Sequence, residues 1–408
     1  MSINEFIKSQ PIINIGCLGS VSDGKSTLVA KLTGIKTQRH SDELKRNITI
    51  NQGYGNLKIF YDNKEYYTTE STGDINDNQL VNHVSFVDCP GHQDLIQTML
   101  SSIILMDGAI IVVAVNTPLS QKPQLIQHLA AAKLGKINKI IVCMNKIDLV
   151  DKEILIERKK ELDKMLDDYN IKPYAIIPTC FNKMIGMKYV IKAIMELFNP
   201  IEYINRITEI PLFRISRSFD INKPGTNWDE VVGGVLGGSL FNGKLAINDK
   251  IEIRPGQMSK GKDGKYICKP IITTILSIKT DTTDLDEIIP GGLIGIRTDL
   301  DPYYCKHNGL AGQLIGKVGT LPEIFSELTL NITIITSFGF EWIPKMNDNM
   351  MLQIGTKISE AKLIKINESS KLYTFTLTKP TCVSVNQHII ICHNINKILR
   401  IVGEGYPI

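Results

Sequence analysis

The sequence predicts an α/β domain built on a mostly parallel sheet, followed by two β-barrel domains. Three observations lead there. Between residues 12 and 198, short apolar runs alternate with helical stretches, the pattern of a parallel sheet covered on both faces. After about Arg206 no long helical period is left, and Gly and Pro punctuate short strands, as in GGVLGGSLFNGKLAINDKIEIRPG. A second block of this kind begins near Gly319. The expected domains are therefore residues 1–207, 208–318 and 319–408. At 408 residues the chain is too long for one core, given about 150 residues per domain.

In the first domain, residues 12–18 are an apolar run entering glycines, hence a strand, and 25–32 read as a helix. Strand 84–87 precedes helix 93–105, and strand 109–115 precedes helix 123–134, whose Pro123 suits a first turn. Strand 140–144, the charged helix 151–168, strand 174–178 and helix 186–198 complete the alternation. The last domain contains LTLNITIITS, MMLQIG, SEAKLIKI, KLYTFTLTKP, QHIIICH and KILRIVGEG, each a strand candidate. In parallel sheets ligands bind at the carboxyl ends of the strands, so the loops after 18, 87, 144 and 178 are where chemistry is expected.

Composition excludes several classes. The net charge of +4 requires no basic tail, and a nucleic-acid partner is neither demanded nor excluded. The N-terminus lacks a basic region followed by a long apolar stretch, no run is long enough to span a membrane, and the last residues carry no lipidation motif. The eight cysteines form no CxxC pair and several sit in apolar runs, so buried free thiols in a reducing, cytoplasmic setting are expected.

Gly19-Ser20-Val21-Ser22-Asp23-Gly24-Lys25-Ser26 fits the P-loop pattern GxxxxGK followed by Ser or Thr, between a strand and a helix. The glycines let backbone N–H groups wrap phosphates, and the helix start at Lys25, Ser26 and Thr27 adds positive partial charge. Lys25 would reach the β- and γ-phosphates and Ser26 would ligate Mg²⁺. Asp88 ends the next clear strand and would hold the same ion through water, while Gly91 offers a close N–H to the γ-phosphate. Asn145, Lys146 and Asp148 form an NKxD element after a later strand. A carboxylate there accepts the guanine donor pair, which adenine lacks. Thr49 is placed to coordinate Mg²⁺ only when a γ-phosphate is present. His92, directly after Gly91, is placed to orient the attacking water, a role filled by Gln in small GTPases.

Together these residues resemble the translational GTPases. ELKRNITI, HVSFVDCPGH, QHLAAAKL, MNKIDLV, RSFDINKPG, IEIRPG, CKPI, PGGLIGI and LPEIFSEL are similar to the gamma subunit of eukaryotic and archaeal translation initiation factor 2, from about Ile12 to Val402. The resemblance implies GTP and GDP as ligands. It also implies delivery of initiator methionyl-tRNA to the small ribosomal subunit, alpha and beta subunit partners, and GTPase-activating and nucleotide-exchange factors. It places a backbone contact to guanine at Cys180-Phe181-Asn182.

Four departures from the family pattern stand out. Ser20 and Asp23 replace histidines in the P-loop, and Asp23 puts a carboxylate beside a phosphate cradle, which repels unless the side chain points outward. Cys180-Phe181-Asn182 replaces a Ser-Ala pair and brings a bulky ring to the guanine loop. The zinc-knuckle cysteines are absent, since residues 62–77 contain no Cys, and the third domain is short, as in a reduced form. Two other readings use the same motifs: a nucleotide-bound scaffold that does not hydrolyse, motivated by Asp23 and Phe181, and an elongation-factor-type GTPase. Without a Cys/His cluster near residues 60–80, no structural zinc is expected. Elemental analysis of tag-free protein should find none, and one zinc per chain would reveal a site that spacing missed.

Overall fold

The computed structural model describes residues 3–36, 53–68, 79–90, 96–281, 283–335, 342–395 and 398–408, which form two compact units, 1–203 and 204–408. The first unit carries a seven-stranded sheet. In chain order its strands are β1 (Ile13–Leu18), β2 (Gly53–Tyr61), β3 (Tyr66–Thr68), β4 (Leu80–Asp88), β5 (Gly108–Ala114), β6 (Ile140–Asn145) and β7 (Ala175–Pro178). Across the sheet the order is β3-β2-β4-β1-β5-β6-β7. Strands β4, β1, β5, β6 and β7 run parallel, and β2 and β3 add an antiparallel edge.

Strands β1, β5 and β6 are buried at every residue, as expected of central strands covered on both faces. Helices α1 (Ile3–Ser9), α2 (Lys25–Thr33), α3 (Ile96–Ile103), α4 (Pro123–Leu134), α5 (Lys152–Asp168) and α6 (Met187–Leu197) belong to the same unit. The predicted elements are all present within a few residues, apart from the start of helix 93–105, since 91–95 lie outside the described residues.

The antiparallel edge was not anticipated. β2 alternates in burial, but its first inward positions are Gly53 and Gly55, which removes the apolar signal from the sequence. Gly55 lies under α2, where an added Cβ would meet Thr33 and Val29 at 2.9 and 3.2 Å. The position is small because a helix crosses it.

The second unit holds two barrels. In the first, β8 (Leu212–Phe219), β9 (Val235–Asn242), β11 (Lys250–Lys260), β12 (Tyr266–Thr280), β15 (Gly291–Thr298) and β16 (Leu314–Lys317) follow the order β11-β16-β8-β9-β15-β12, and the pairing of β11 with β12 closes the ring. Three short strands, β10 (Leu245–Ala246), β13 (Thr283–Leu285) and β14 (Glu287–Ile288), decorate it. Its core is almost entirely aliphatic, with Phe213, Ile215, Leu236, Ile251, Ile275 and Ile296 buried.

The second barrel closes as β17-β20-β19-β18-β21-β22, from β17 (Ile324–Ile334), β18 (Asn349–Ile354), β19 (Lys357–Asn367), β20 (Leu372–Cys382), β21 (Ile389–Ile395) and β22 (Ile398–Pro407). Closure leaves neither barrel with a long open edge. The fold class read from the sequence is the one observed. All eight cysteines are free and seven of them are buried.

One buried histidine makes the first unit sensitive to pH. His83 on β4 has Nδ1 at 2.9 Å from the Ile7 carbonyl of α1, so Nδ1–H donates. Burial, assisted by the charge of Lys58, lowers its pKa from 6.5 to about 3. The unfolded chain therefore takes up a proton between those values that the folded chain refuses. This contribution to stability is fully present above about pH 6.5 and is lost as the pH falls toward 3, at most about 1.4 kcal/mol per pH unit. In urea unfolding, His83→Gln should lose less stability between pH 7 and 5 than the wild type, by about 2 kcal/mol. Identical pH slopes would show that His83 titrates in the folded state.

Candidate nucleotide site

The loops at the carboxyl ends of β1, β4, β6 and β7 carry the sequence-nominated residues that lie within the described chain. The loop after β1 turns back through three left-handed residues, Gly19 (φ 139°), Ser22 (φ 62°) and Gly24 (φ 108°), and then opens α2 at Lys25. A Cβ on Gly19 would stand 2.2 Å from the Val112 carbonyl, so glycine is required there sterically as well as conformationally. For Ser22, which has a side chain, the same φ region costs about 1–3 kcal/mol, a strain held by the surrounding contacts.

Those contacts come from three directions. The Gly19 N–H donates to His128 Nδ1 of α4 at 3.2 Å. Burial, with the nearby charge of Lys25, lowers the His128 pKa to about 3, so the ring stays neutral and Nδ1 stays an acceptor. The Asp23 carbonyl accepts from Asn145 Nδ2 at 2.8 Å. The Asp23 carboxylate turns into the protein: Oδ2 accepts the Ser20 N–H at 2.9 Å, and Oδ1 accepts the Ala114 N–H at 3.2 Å and pairs with Lys122 Nζ. The sequence left this carboxylate with an outward escape from phosphate repulsion. Instead it is buried and neutralised from within, by a lysine 99 positions away that no local pattern marks.

Lys25 is buried, and its ammonium donates to the Ser20 carbonyl at 2.8 Å. Burial pulls its pKa down from the ordinary value, and the negative charges of Asp88 and Asp23 oppose that shift. Asp88 is fully buried and stands opposite Cys17 in the β1–β4 register, next to the start of the phosphate loop. Ser26 opens α2 beside Lys25. Hydroxyl and carboxylate oxygens are the donor type a hard divalent cation takes. Burial, then the charge of Asp88, raises the Cys17 thiol well above its usual range, so it stays protonated.

In the NKxD element, Lys146 adopts a left-handed conformation (φ 64°) directly after β6 and starts the short turn containing Asp148. The Cys180 thiol and then the Lys183 ammonium, at 3.1 Å from Oδ2, hold the Asp148 carboxyl below its usual pKa. Phe181 does not crowd this face. Its ring is 1% exposed and lies against Gly24, where an added methyl would meet it at 3.4 Å. The Phe181 N–H donates to Asn145 Oδ1 at 3.3 Å, and Asn182 is exposed. Thr49, Gly91 and His92 lie outside the described residues.

Sequence reasoning missed His128 and Lys122. His128 sat in the family-like run QHLAAAKL without an assigned role, and Lys122 read as an ordinary residue before Pro123. Asp148→Asn should weaken GTP and GDP together by several kcal/mol, since each hydrogen bond to a charged group contributes about 1.5–3 kcal/mol. Equal affinity of the wild type for ATP and GTP would remove Asp148 from this role.

Comparison with known proteins agrees with the geometry. Residues 10–200 match the family Elongation factor Tu GTP binding domain, 233–309 match Elongation factor Tu domain 2, and 342–406 match Initiation factor eIF2 gamma, C terminal. The chain is 37% identical to eukaryotic translation initiation factor 2 subunit gamma of Encephalitozoon cuniculi, covering 98% of this chain and 93% of that protein. It is 36% identical to translation initiation factor 2 subunit gamma of Archaeoglobus fulgidus, covering 97% and 94%. Among solved structures it resembles a bacterial selenocysteine-specific elongation factor (TM-score 0.75, 22% identity), covering 97% of this chain and 58% of that one. It also resembles the elongation factor SelB of Methanococcus maripaludis with a GTP analogue (TM-score 0.70, 19% identity, 98% and 79% covered). These structural likenesses speak to the fold alone, whereas identity above a third along nearly the whole length places this chain, a GTP-binding translational GTPase, in the translation initiation factor 2 gamma-subunit family.

Proposed function

We propose that this chain is the subunit that binds initiator methionyl-tRNA in its GTP form, delivers it to the small ribosomal subunit, and releases it after hydrolysis. The observation that carries the reading is the near full-length identity to relatives named as initiation factor 2 gamma subunits. It works with alpha and beta subunits and with activating and exchange factors, in the cytoplasm. Selection of guanine falls to Asn145, Lys146 and Asp148, with backbone support at Cys180, Phe181 and Asn182. Phosphate is held by Gly19, Ser22, Asp23, Gly24, Lys25, Ser26 and Thr27, largely through main-chain N–H groups.

Ser26 and Thr49 would hold Mg²⁺ directly and Asp88 through water. When bound, the ion would supply positive charge against the phosphates. His92 orients the water that attacks the γ-phosphate. Thr49 and Gly91 have a γ-phosphate to hold in the GTP state and none in the GDP state, which is the basis of the switch. The non-hydrolysing scaffold reading drew on Asp23 and Phe181. Asp23 is paired and Phe181 is folded inward, so neither supports it any longer.

GTP and initiator tRNA should bind with positive coupling of about 1–3 kcal/mol, or roughly 5–150-fold in affinity, and reciprocally. A thermodynamic cycle on the assembled factor checks this, with Thr49→Ala expected to shrink the coupling while sparing GDP. Equal initiator-tRNA affinity in the GTP and GDP states would refute the delivery role even if both nucleotides bind well.

A further inference from the structure

The carboxylate of Asp23 sits inside the loop that receives phosphate, where an uncompensated negative charge would oppose its ligand. Its side chain is 2% exposed and that of its partner Lys122 is 7% exposed, so water screens neither. The pair joins three elements. Asp23 is in the phosphate loop, Lys122 directly precedes the first residue of α4, and the Ala114 N–H bonded to the same carboxylate oxygen ends β5. The Asp23 carbonyl is fixed independently by Asn145. The fifth residue of the loop is therefore held at both its main chain and its side chain.

We propose that Lys122 is a positioning residue of the nucleotide site: its ammonium cancels the Asp23 carboxylate and fixes that side chain inward, so that the main-chain N–H groups of the loop meet phosphate without a competing anion. The inference rests on residues 19–26 being the phosphate cradle. It follows from the asymmetry of buried ion pairs. Removing one partner strands a charge at great cost, whereas removing both together is often close to neutral. Lys25 does not substitute for Lys122, because its ammonium donates to the Ser20 carbonyl and is placed for the ligand itself.

The test uses the full chain, with fluorescent GDP and GTP titrations and thermal melting of the nucleotide-free protein as the fold control. Lys122→Met should weaken both nucleotides at least tenfold. Lys122→Arg, which keeps the charge, should stay within about threefold of the wild type. The double variant Asp23→Asn with Lys122→Met should recover most of the lost affinity. Wild-type affinity in Lys122→Met overturns the proposal, as does a double variant no better than the single one, which would make the loss a packing effect. If Lys122→Met does not fold, recovery of folding and binding together in the double variant supports charge cancellation, and failure of the double variant to recover overturns it. Absence of nucleotide binding in the wild type would instead strike the cradle assignment.

Discussion

The carboxamide of Asn145 ties together two loops at the carboxyl ends of the sheet. Its Nδ2 donates to the Asp23 carbonyl in the phosphate loop, and its Oδ1 accepts the Phe181 N–H in the loop after β7. It sits on the last residue of β6, buried, so its position is set by the sheet. Much else follows from this link. A Cβ on Gly24 would come within 2.4 Å of Nδ2, so the glycine that starts α2 is demanded by the asparagine as well as by its positive φ. The turn beyond Asn145 carries Lys146 and Asp148, and the Asp148 carboxylate pairs with Lys183.

Around that link the buried charges are balanced locally. Lys122 answers Asp23, and the charges of Asp88 and Asp23 support Lys25 against the effect of its burial. Burial keeps His128 neutral, which preserves an acceptor for the Gly19 N–H without adding a cation. A phosphate cradle needs positive potential from main-chain N–H groups and one mobile lysine. The inward turn of Asp23 is what keeps a substituted P-loop compatible with that need.

The barrels show a similar economy at their junction within the second unit. Arg254 pairs with Glu252 on the same strand and donates to the Leu321 carbonyl at 2.9 Å, in the segment that leads into β17. Thr356 of the second barrel donates to the Ile215 carbonyl of the first at 3.4 Å. The connection is thus held by polar contacts to main chain, while each barrel keeps its own apolar core.

Apart from α1 and the β2–β3 edge, the sequence alone determined the strand–helix alternation of the first unit, the ends of α4, the positions of the four loops at the strands' carboxyl ends and the six strands of the last barrel. All of these follow from short-range signals: apolar period, Gly and Pro punctuation, and motifs contiguous in the chain. It did not show the β2–β3 edge, because the inward glycines at 53 and 55 carry no hydrophobic signal and their smallness answers to α2. Nor did it show where Asp23 and Phe181 point, or that Lys122 and His128 serve the phosphate loop. Those facts depend on partners distant along the chain, such as Lys122, 99 positions from Asp23, brought together only when the sheet and its helices assemble. A side chain's charge is written in the sequence, but its direction is decided by which buried donors the folded sheet places within hydrogen-bond reach.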